Sequence, residues 1–362
     1  MYIVLNRKAA GRAFLGGLVL LAFLVSGCLL YLRPAAAAGK DGAGEEKEYI
    51  KWVDFNVPYE VLNRALELDI ASNGTDTPVS WIELLAYAAA KNGGQWKNFK
   101  IGKLNETAQA LQEGASIEEL TADLKYYSYY HEAYSAVLGG LVGHYEIEVP
   151  DETAEGGKRW EARYGLKGFS PIAKNYPYSD FDDFGNSRDY GFKRKHLGHD
   201  LMGAVGTPII AVEGGTVEAL GWNQYGGWRI GIRSFDQKRY YYYAHLRKNF
   251  PYNKELKIGS IVQPGDVIGY LGRTGYSATE NVNNIEQPHL HFGLQLIFDE
   301  SQKEGNNEIW VDVYPLTRLL YRNRSTVVKD EATKEYHRVY RIRDPTVPGT
   351  SGAAADGGLS SG

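Results

Sequence analysis

The chain has 362 residues, of which 43% are hydrophobic, and a formal net charge of −4. That length exceeds one small domain at ~150 residues per domain, and the slightly acidic balance excludes the general basic field that nucleic acid requires. The single cysteine excludes both a disulfide framework and a thiolate metal cage.

In chain order, the first signal is for targeting. Arg7, Lys8 and Arg12 precede an apolar run over residues 13–32, followed by Arg33, Pro34 and four alanines. About 20 apolar residues span a bilayer as a helix. The positive flank keeps the N-terminus in the cytoplasm and sends the remainder across. Residues 1–38 therefore read as a membrane anchor or signal segment, giving a single-pass cell-membrane protein whose later domains are extracytoplasmic. Two alternatives stand beside the anchor: a signal peptide cleaved after Ala36-Ala37-Ala38, or a lipoprotein whose lipobox is Val25-Ser26-Gly27-Cys28. All three imply export. Residues 39–48 are polar and glycine-rich, a linker.

Residues 49–150 read as a small helical domain without chemistry of its own. Val61, Leu62, Ala65 and Leu66 after Pro58 have helix-face spacing. Ser80-Trp81-Ile82-Glu83 is a capping-box start, and Asn92-Gly93-Gly94 is a stop. A second capping box, Ser116 to Glu119, predicts a longer helix ending at Gly139-Gly140. His131 and His144 stand alone and are read as ordinary surface or core residues. Tyr126, Tyr127, Tyr129 and Tyr130 are read as a packing face. This domain is the candidate docking module for a protein partner.

After a charged segment the pattern changes to short β-branched and aromatic runs between glycine turns. They include residues 207–212, 215–217, 228–232, 240–244 and 266–270, and predict an antiparallel β domain over 160–325. Val327 to Arg343 reads as a strand or short helix. Residues 344–362, rich in Gly, Ser and Ala, are expected to be a disordered tail. The predicted fold class is thus α+β and multidomain, with a membrane segment, a helical domain and a mainly antiparallel β catalytic domain.

Five of the eight histidines lie in three clusters inside that β region: His196 to Asp200, Tyr243 to Leu246, and Pro288 to Phe292. Residues two apart on a strand share a face, so His289 and His291 point into one cavity while Leu290 and Phe292 point away. His196 and Asp200 are four apart, with Gly198 allowing a sharp turn between them. Two histidines and a carboxylate form a common catalytic zinc set with the fourth position left to water, whose pKa zinc lowers to about 7. His245 and His289 remain as the pair that takes a proton and stabilises the oxyanion.

The ordered series of motifs resembles the lysostaphin/LytM-type zinc endopeptidases of bacterial cell walls, metallopeptidase family 23. It runs through His196 to Asp200, Gly206 to Ile209, Gly214 to Val217, Tyr243 to Leu246, Gly269 to Gly275 and His289 to Phe292. The resemblance covers roughly residues 190–315. It implies the β-rich duplicated hybrid motif, one Zn²⁺ per chain on His196, Asp200 and His291, and assistance from His245 and His289. The implied substrate is the peptide of peptidoglycan stems or cross-bridges, cut by a zinc-bound water. His199 departs from the pattern as an alternative ligand or a packing residue, with packing favoured. The loops over 249–257 and 276–288 are longer than usual and are expected to flank the cleft. His337 lies outside the pattern. The competing reading is a membrane-anchored scaffold or activator on the same fold, in cell-wall remodelling or sporulation. Retention of all five site residues argues against it.

Overall fold

The computed structural model describes residues 49–189, 193–303, 305 and 307–349. The segments over 1–38 and 39–48 lie outside them. No described helix is long and apolar enough to cross a membrane.

The helices form where caps and apolar spacing coincide. α1 (Tyr59–Ser72) follows Pro58 and buries Val61, Leu62, Ala65 and Leu66. α2 (Trp81–Asn92) starts at Ser80, whose side chain accepts from the Glu83 N–H, and stops at Gly93 in the left-handed conformation. α3 (Gly102–Gln112) begins with no side-chain cap and buries only Leu104 and Ala108, a weak periodic signal that the sequence reading passed over. The helix expected from Ser116 to Gly139 is two helices. α4 (Ile117–Thr121) carries the reciprocal capping box of Ser116 and Glu119. It closes after five residues, where the Thr121 hydroxyl donates back to the Ile117 carbonyl at 2.7 Å. α5 (Tyr127–Leu138) then starts afresh and buries Ala133, Tyr134, Ala136, Val137 and Leu138.

Helix gives way to strand before residue 150. β1 (Val142–Pro150) and β2 (Lys158–Leu166) form a hairpin, and the charged segment is its turn and returning strand. Two short strands, β3 (Ser187–Asp189) and β4 (Lys193–Lys195), pair next. The strands that carry the site follow: β5 (His199–Met202), β6 (Pro208–Ile210), β7 (Gly215–Asn223), β8 (Gly227–Ser234), β9 (Arg239–Ala244), β10 (Ile261–Val262), β11 (Val267–Tyr270), β12 (His289–Leu296) and β13 (Ile309–Trp310). The main sheet has the order β10-β7-β8-β9-β12-β13, with β5 also pairing β12. All of its pairings are antiparallel. β6 and β11 form a separate ribbon.

After helix α6 (Tyr314–Leu320) come the hairpin β14 (Val327–Lys329) with β15 (Tyr336–Arg338), and then β16 (Ile342–Arg343), which pairs back onto β1. The start of the expected disordered tail is packed rather than loose. Asp344 and Val347 are buried, and Asp344 pairs with the buried Lys167 ammonium at 2.8 Å. A buried ion pair and a buried valine outweigh what local composition implies. The tail from residue 350 lies outside the described residues.

One apolar core runs from the helices into the sheet, including Leu84, Val137 and Leu138 as well as Tyr241, Phe292 and Leu294. Arg239, 1% exposed, fastens the two parts. Its guanidinium donates to Glu213 Oε2 at 2.7 Å, to Asp236 Oδ2 at 2.6 Å and to the Ala136 carbonyl of α5 at 2.8 Å. Removing one partner of a buried charge pair strands the other. Arg239→Ala is therefore expected to cost about 3–5 kcal/mol of stability, read as a lower urea midpoint; an unchanged midpoint would show that the pair holds nothing together.

Candidate metal centre

The site is built on β12. Its alternation buries Leu290, Phe292, Leu294 and Leu296, with Phe292 packed between Tyr243 and Tyr241 at ring distances of 5.3 and 6.2 Å. The opposite face carries His289, His291, Gly293 and Gln295. β5 pairs with β12 so that His291 lies opposite Asp200 and Phe292 opposite His199. Opposed residues of an antiparallel pair project on one side, so His291 and Asp200 meet on the site face and His199 turns to the other. There the His199 Nδ1 lies 2.8 Å from the Thr317 hydroxyl. Its Nε2 is 3.1 Å from an Asp180 carboxylate oxygen, without hydrogen-bond alignment.

His196 reaches the same face through the Leu197-Gly198 turn. A β-carbon at Gly198 would sit 2.5 Å from His291 Cε1 and 2.8 Å from the Phe292 carbonyl oxygen, closer than a side chain tolerates. His196 Nε2 lies 3.0 Å from Asp200 Oδ1 and 3.0 Å from His291 Nδ1, and His291 Nδ1 lies 2.9 Å from Asp200 Oδ1. His196, Asp200 and His291 are thus brought together as a group able to hold a metal ion.

The surroundings fix how each group presents itself. His196 Nδ1 is 2.9 Å from Asp183 Oδ1. A proton shared with that buried carboxylate leaves the Nε2 lone pair facing Asp200 and His291. Arg188 bonds the other Asp183 oxygen and donates to Asp200 Oδ2 at 3.0 Å, so Asp200 Oδ1 remains for the cluster. Burial alone would raise the Asp200 carboxyl. The contacts with His196 and His291 nevertheless hold it far below its usual range. Burial pushes His291 down, opposed by Asp200. Electron-rich atoms this close, two of them on buried residues, can be satisfied by a cation between them. Their 2.9–3.0 Å separations are near the roughly 3.3 Å edge of a tetrahedron with 2.0–2.1 Å zinc–ligand bonds, so the residues fit zinc.

His245 and His289 stand beside the cluster. His245 follows β9 at a φ of +63°, a left-handed turn that swings its ring back toward the site. Its Nδ1 lies 2.9 Å from the Thr274 carbonyl. A carbonyl only accepts, so Nδ1 carries the hydrogen and Nε2 keeps its lone pair. Burial, then the neighbouring His289 and His291, push the His245 pKa well below its ordinary value, which keeps the ring neutral. His289 repeats the arrangement: Nδ1 donates to the Gln287 carbonyl at 2.8 Å, and Nε2 lies 3.7 Å from Asp200 Oδ1. The two rings are 4.8 Å apart.

His196, His245 and His291 line a cavity of about 610 Å³ together with Tyr240, Tyr242 and Trp310. Gly231 and Gly293 give it room, because a β-carbon at either would run into Tyr240 or Trp310. The two long loops meet at Asn281, whose side chain accepts from the Trp228 indole at 2.9 Å and donates to Asn249 at 2.7 Å. Asp183, Arg188 and the Thr274 and Gln287 carbonyls were not found from sequence. The acidic run Asp180, Asp182 and Asp183 was the one local sign. His131 and His144 pack beside Tyr127 and Tyr164, and His337 is exposed on β15.

Residues 194–305 match Peptidase family M23. An L-Ala--D-Glu endopeptidase of Bacillus subtilis (strain 168) is 38% identical over 152 residues, 42% of this chain and 43% of that protein. Lysostaphin of Staphylococcus simulans is 39% identical over 98 residues, 27% of this chain and 17% of that protein. The solved catalytic domain of the antimicrobial peptidase lysostaphin from the same species is 31% identical, covering 39% of this chain and 92% of that one, with a TM-score of 0.30. The chain spans less than half the length of these two full-length relatives.

Asp183→Ala is expected to weaken zinc binding roughly 10- to 100-fold in chelator competition, the usual effect of losing a carboxylate that orients a histidine ligand. Gly198→Ala should displace His291 and lower zinc stoichiometry in a protein that still unfolds cooperatively. Full metal content in both would refute the arrangement.

Proposed function

We propose, from the M23 peptidase domain that this chain carries, an exported zinc metallo-endopeptidase that hydrolyses peptide bonds in peptidoglycan stems or cross-bridges. The observation that carries the reading is three electron-rich atoms, on buried His196 and Asp200 and part-buried His291, within 3.0 Å of one another, beside the rings of His245 and His289. His196, Asp200 and His291 would hold zinc, which would supply Lewis-acid polarisation and lower the pKa of water there. The chain's own residues do the rest. His245 is neutral with its Nε2 lone pair free, the state a general base needs. His289, fixed in the same tautomer, is placed to hold a proton and to donate it to developing negative charge. Asp183 and Arg188 keep His196 and Asp200 aimed inward. Tyr240, Tyr242 and Trp310 offer an aromatic-walled cleft in which a peptide can lie. The N-terminal charges and apolar run support membrane attachment with the domain outside the cell, where this substrate lies.

The separation of roles is testable. His291→Ala should lose both zinc and hydrolysis. His245→Ala should retain about one zinc per chain while losing on the order of 10²- to 10⁴-fold in rate. Equal zinc loss in the two variants would overturn the assignment. Incubation of the zinc-loaded chain with several peptidoglycans should release fragments with new amine ends, and a chelator should stop it. Bound zinc without cleavage of any wall type would favour the scaffold reading.

A further inference from the structure

The cleft holds a guanidinium that the hydrolytic site does not use. Arg229 lies on β8, opposite Gly221 of β7. The register that pairs Ile230 with Tyr243 sets Arg229 beside Ala244, and Ala244 pairs with His291, which pairs with Asp200. Arg229, Ala244, His291 and Asp200 therefore form one row across the sheet on one face. Arg229 lines the same cavity as His196, His245 and His291. Its Nε is buried with no hydrogen-bond partner, and no ion pair reaches it among the described residues. Glu308, which lines the same cavity, accepts from the Trp310 indole N–H at 2.8 Å. A buried donor without an acceptor is destabilising. As a lining residue, Arg229 also borders the space that a substrate would fill.

Resting on the endopeptidase reading above, we propose that Arg229 is a specificity-determining residue that binds a free carboxylate of the substrate close to the scissile bond. Arg229 and His291 are two strands apart, about 10 Å at 4.7–4.9 Å per strand. An extended peptide advances ~3.3 Å per residue, and the arginine arm covers part of the gap. The carboxylate then belongs to a residue one or two positions from the bond cut. A planar guanidinium suits a carboxylate because both present two parallel hydrogen-bonding atoms. The substrate class is thus an acidic stem peptide, in which a γ-linked glutamate keeps its α-carboxylate free, and not an uncharged glycine cross-bridge. Lys195 at the rim adds attraction of the same sign.

The test uses zinc-loaded full-length protein and synthetic stem peptides that differ only in which carboxylate is amidated: the glutamate's, the following residue's, or neither. Wild-type protein should prefer the free acid to one of the amides by on the order of 10- to 100-fold in kcat/KM, the effect of a charge-assisted hydrogen bond of about 1.5–3 kcal/mol. The amide that is discriminated against identifies the carboxylate. In Arg229→Gln the ratio should collapse toward one with zinc content unchanged, and Arg229→Lys should keep part of it. A ratio that survives Arg229→Gln, or a wild type indifferent to amidation, overturns the proposal. Calorimetric binding of the same peptides supplies a second readout. If wild type cuts none of them, binding decides: a preference that Arg229→Gln abolishes upholds Arg229, and its absence overturns it, while the endopeptidase reading stands or falls with the wall digestion.

Discussion

The pairing of β12 with β5 and β9 is the constraint on which the site depends. A strand has a side-chain period of two, so a slip of one residue would exchange its faces. His289 and His291 would then enter the core, and Leu290 and Phe292 would face the cavity. Burial of Leu290, Phe292, Leu294 and Leu296 makes that slip costly, since each fully buried side chain of this size contributes about 1.5–3 kcal/mol. The apolar face of β12 thus pins the polar face, and the geometry of the candidate metal site follows from hydrophobic packing on the other side of one strand.

Packing brings the candidate ligands together, but hydrogen bonds decide their chemical form. An imidazole offers its lone pair to a metal or a proton only when its other nitrogen carries the hydrogen. Asp183, Thr274 and Gln287 each provide an acceptor to the Nδ1 of a histidine. Two of these acceptors are backbone carbonyls, so the tautomers of His245 and His289 are set by loop conformation and not by another side chain. Arg188 touches both Asp183 and Asp200 and offsets part of the negative charge gathered beneath the cluster. Such oriented surroundings tune a metal site as much as its ligands do.

The helices and the sheet share one core, so the helical region belongs to the scaffold of the β domain. Arg239 joins them through carboxylates of the β domain and a carbonyl at the end of α5. The chain also closes on itself, with β16 pairing β1 and Asp344 meeting Lys167. These contacts link residues about two hundred positions apart. Local reading placed β1 in the helical domain, β16 in a strand or short helix, Lys167 in the β domain and Asp344 in a disordered tail, because neither half of a long-range pair reveals its partner on its own.

Some features are written into the sequence because they are local. The cap at Ser80 and the capping box at Ser116 mark helix starts, and Gly93 marks a stop. The alternation of His289 to Leu296 declares one face polar and one apolar. Gly198 lies between His196 and Asp200, where no side chain fits. His196, Asp200 and His291, which the structure brings together, were legible as candidates because spacing on strands and turns fixes direction. The break between α4 and α5 was not legible: the sequence carries a start signal there but no stop, and backbone turns decide it. Asp183, Arg188 and the Thr274 carbonyl were hidden for a different reason. Their roles arise only when loops distant in sequence close over β12, and a hydrogen bond between such loops leaves no periodic trace. The same is true of Arg229, which reads as one charge in a strand until the register of three neighbouring strands sets it in the row of His291 and Asp200. Sequence alone determined which residues share a face; tertiary structure decided which faces meet, because strand register is set by packing over the whole sheet.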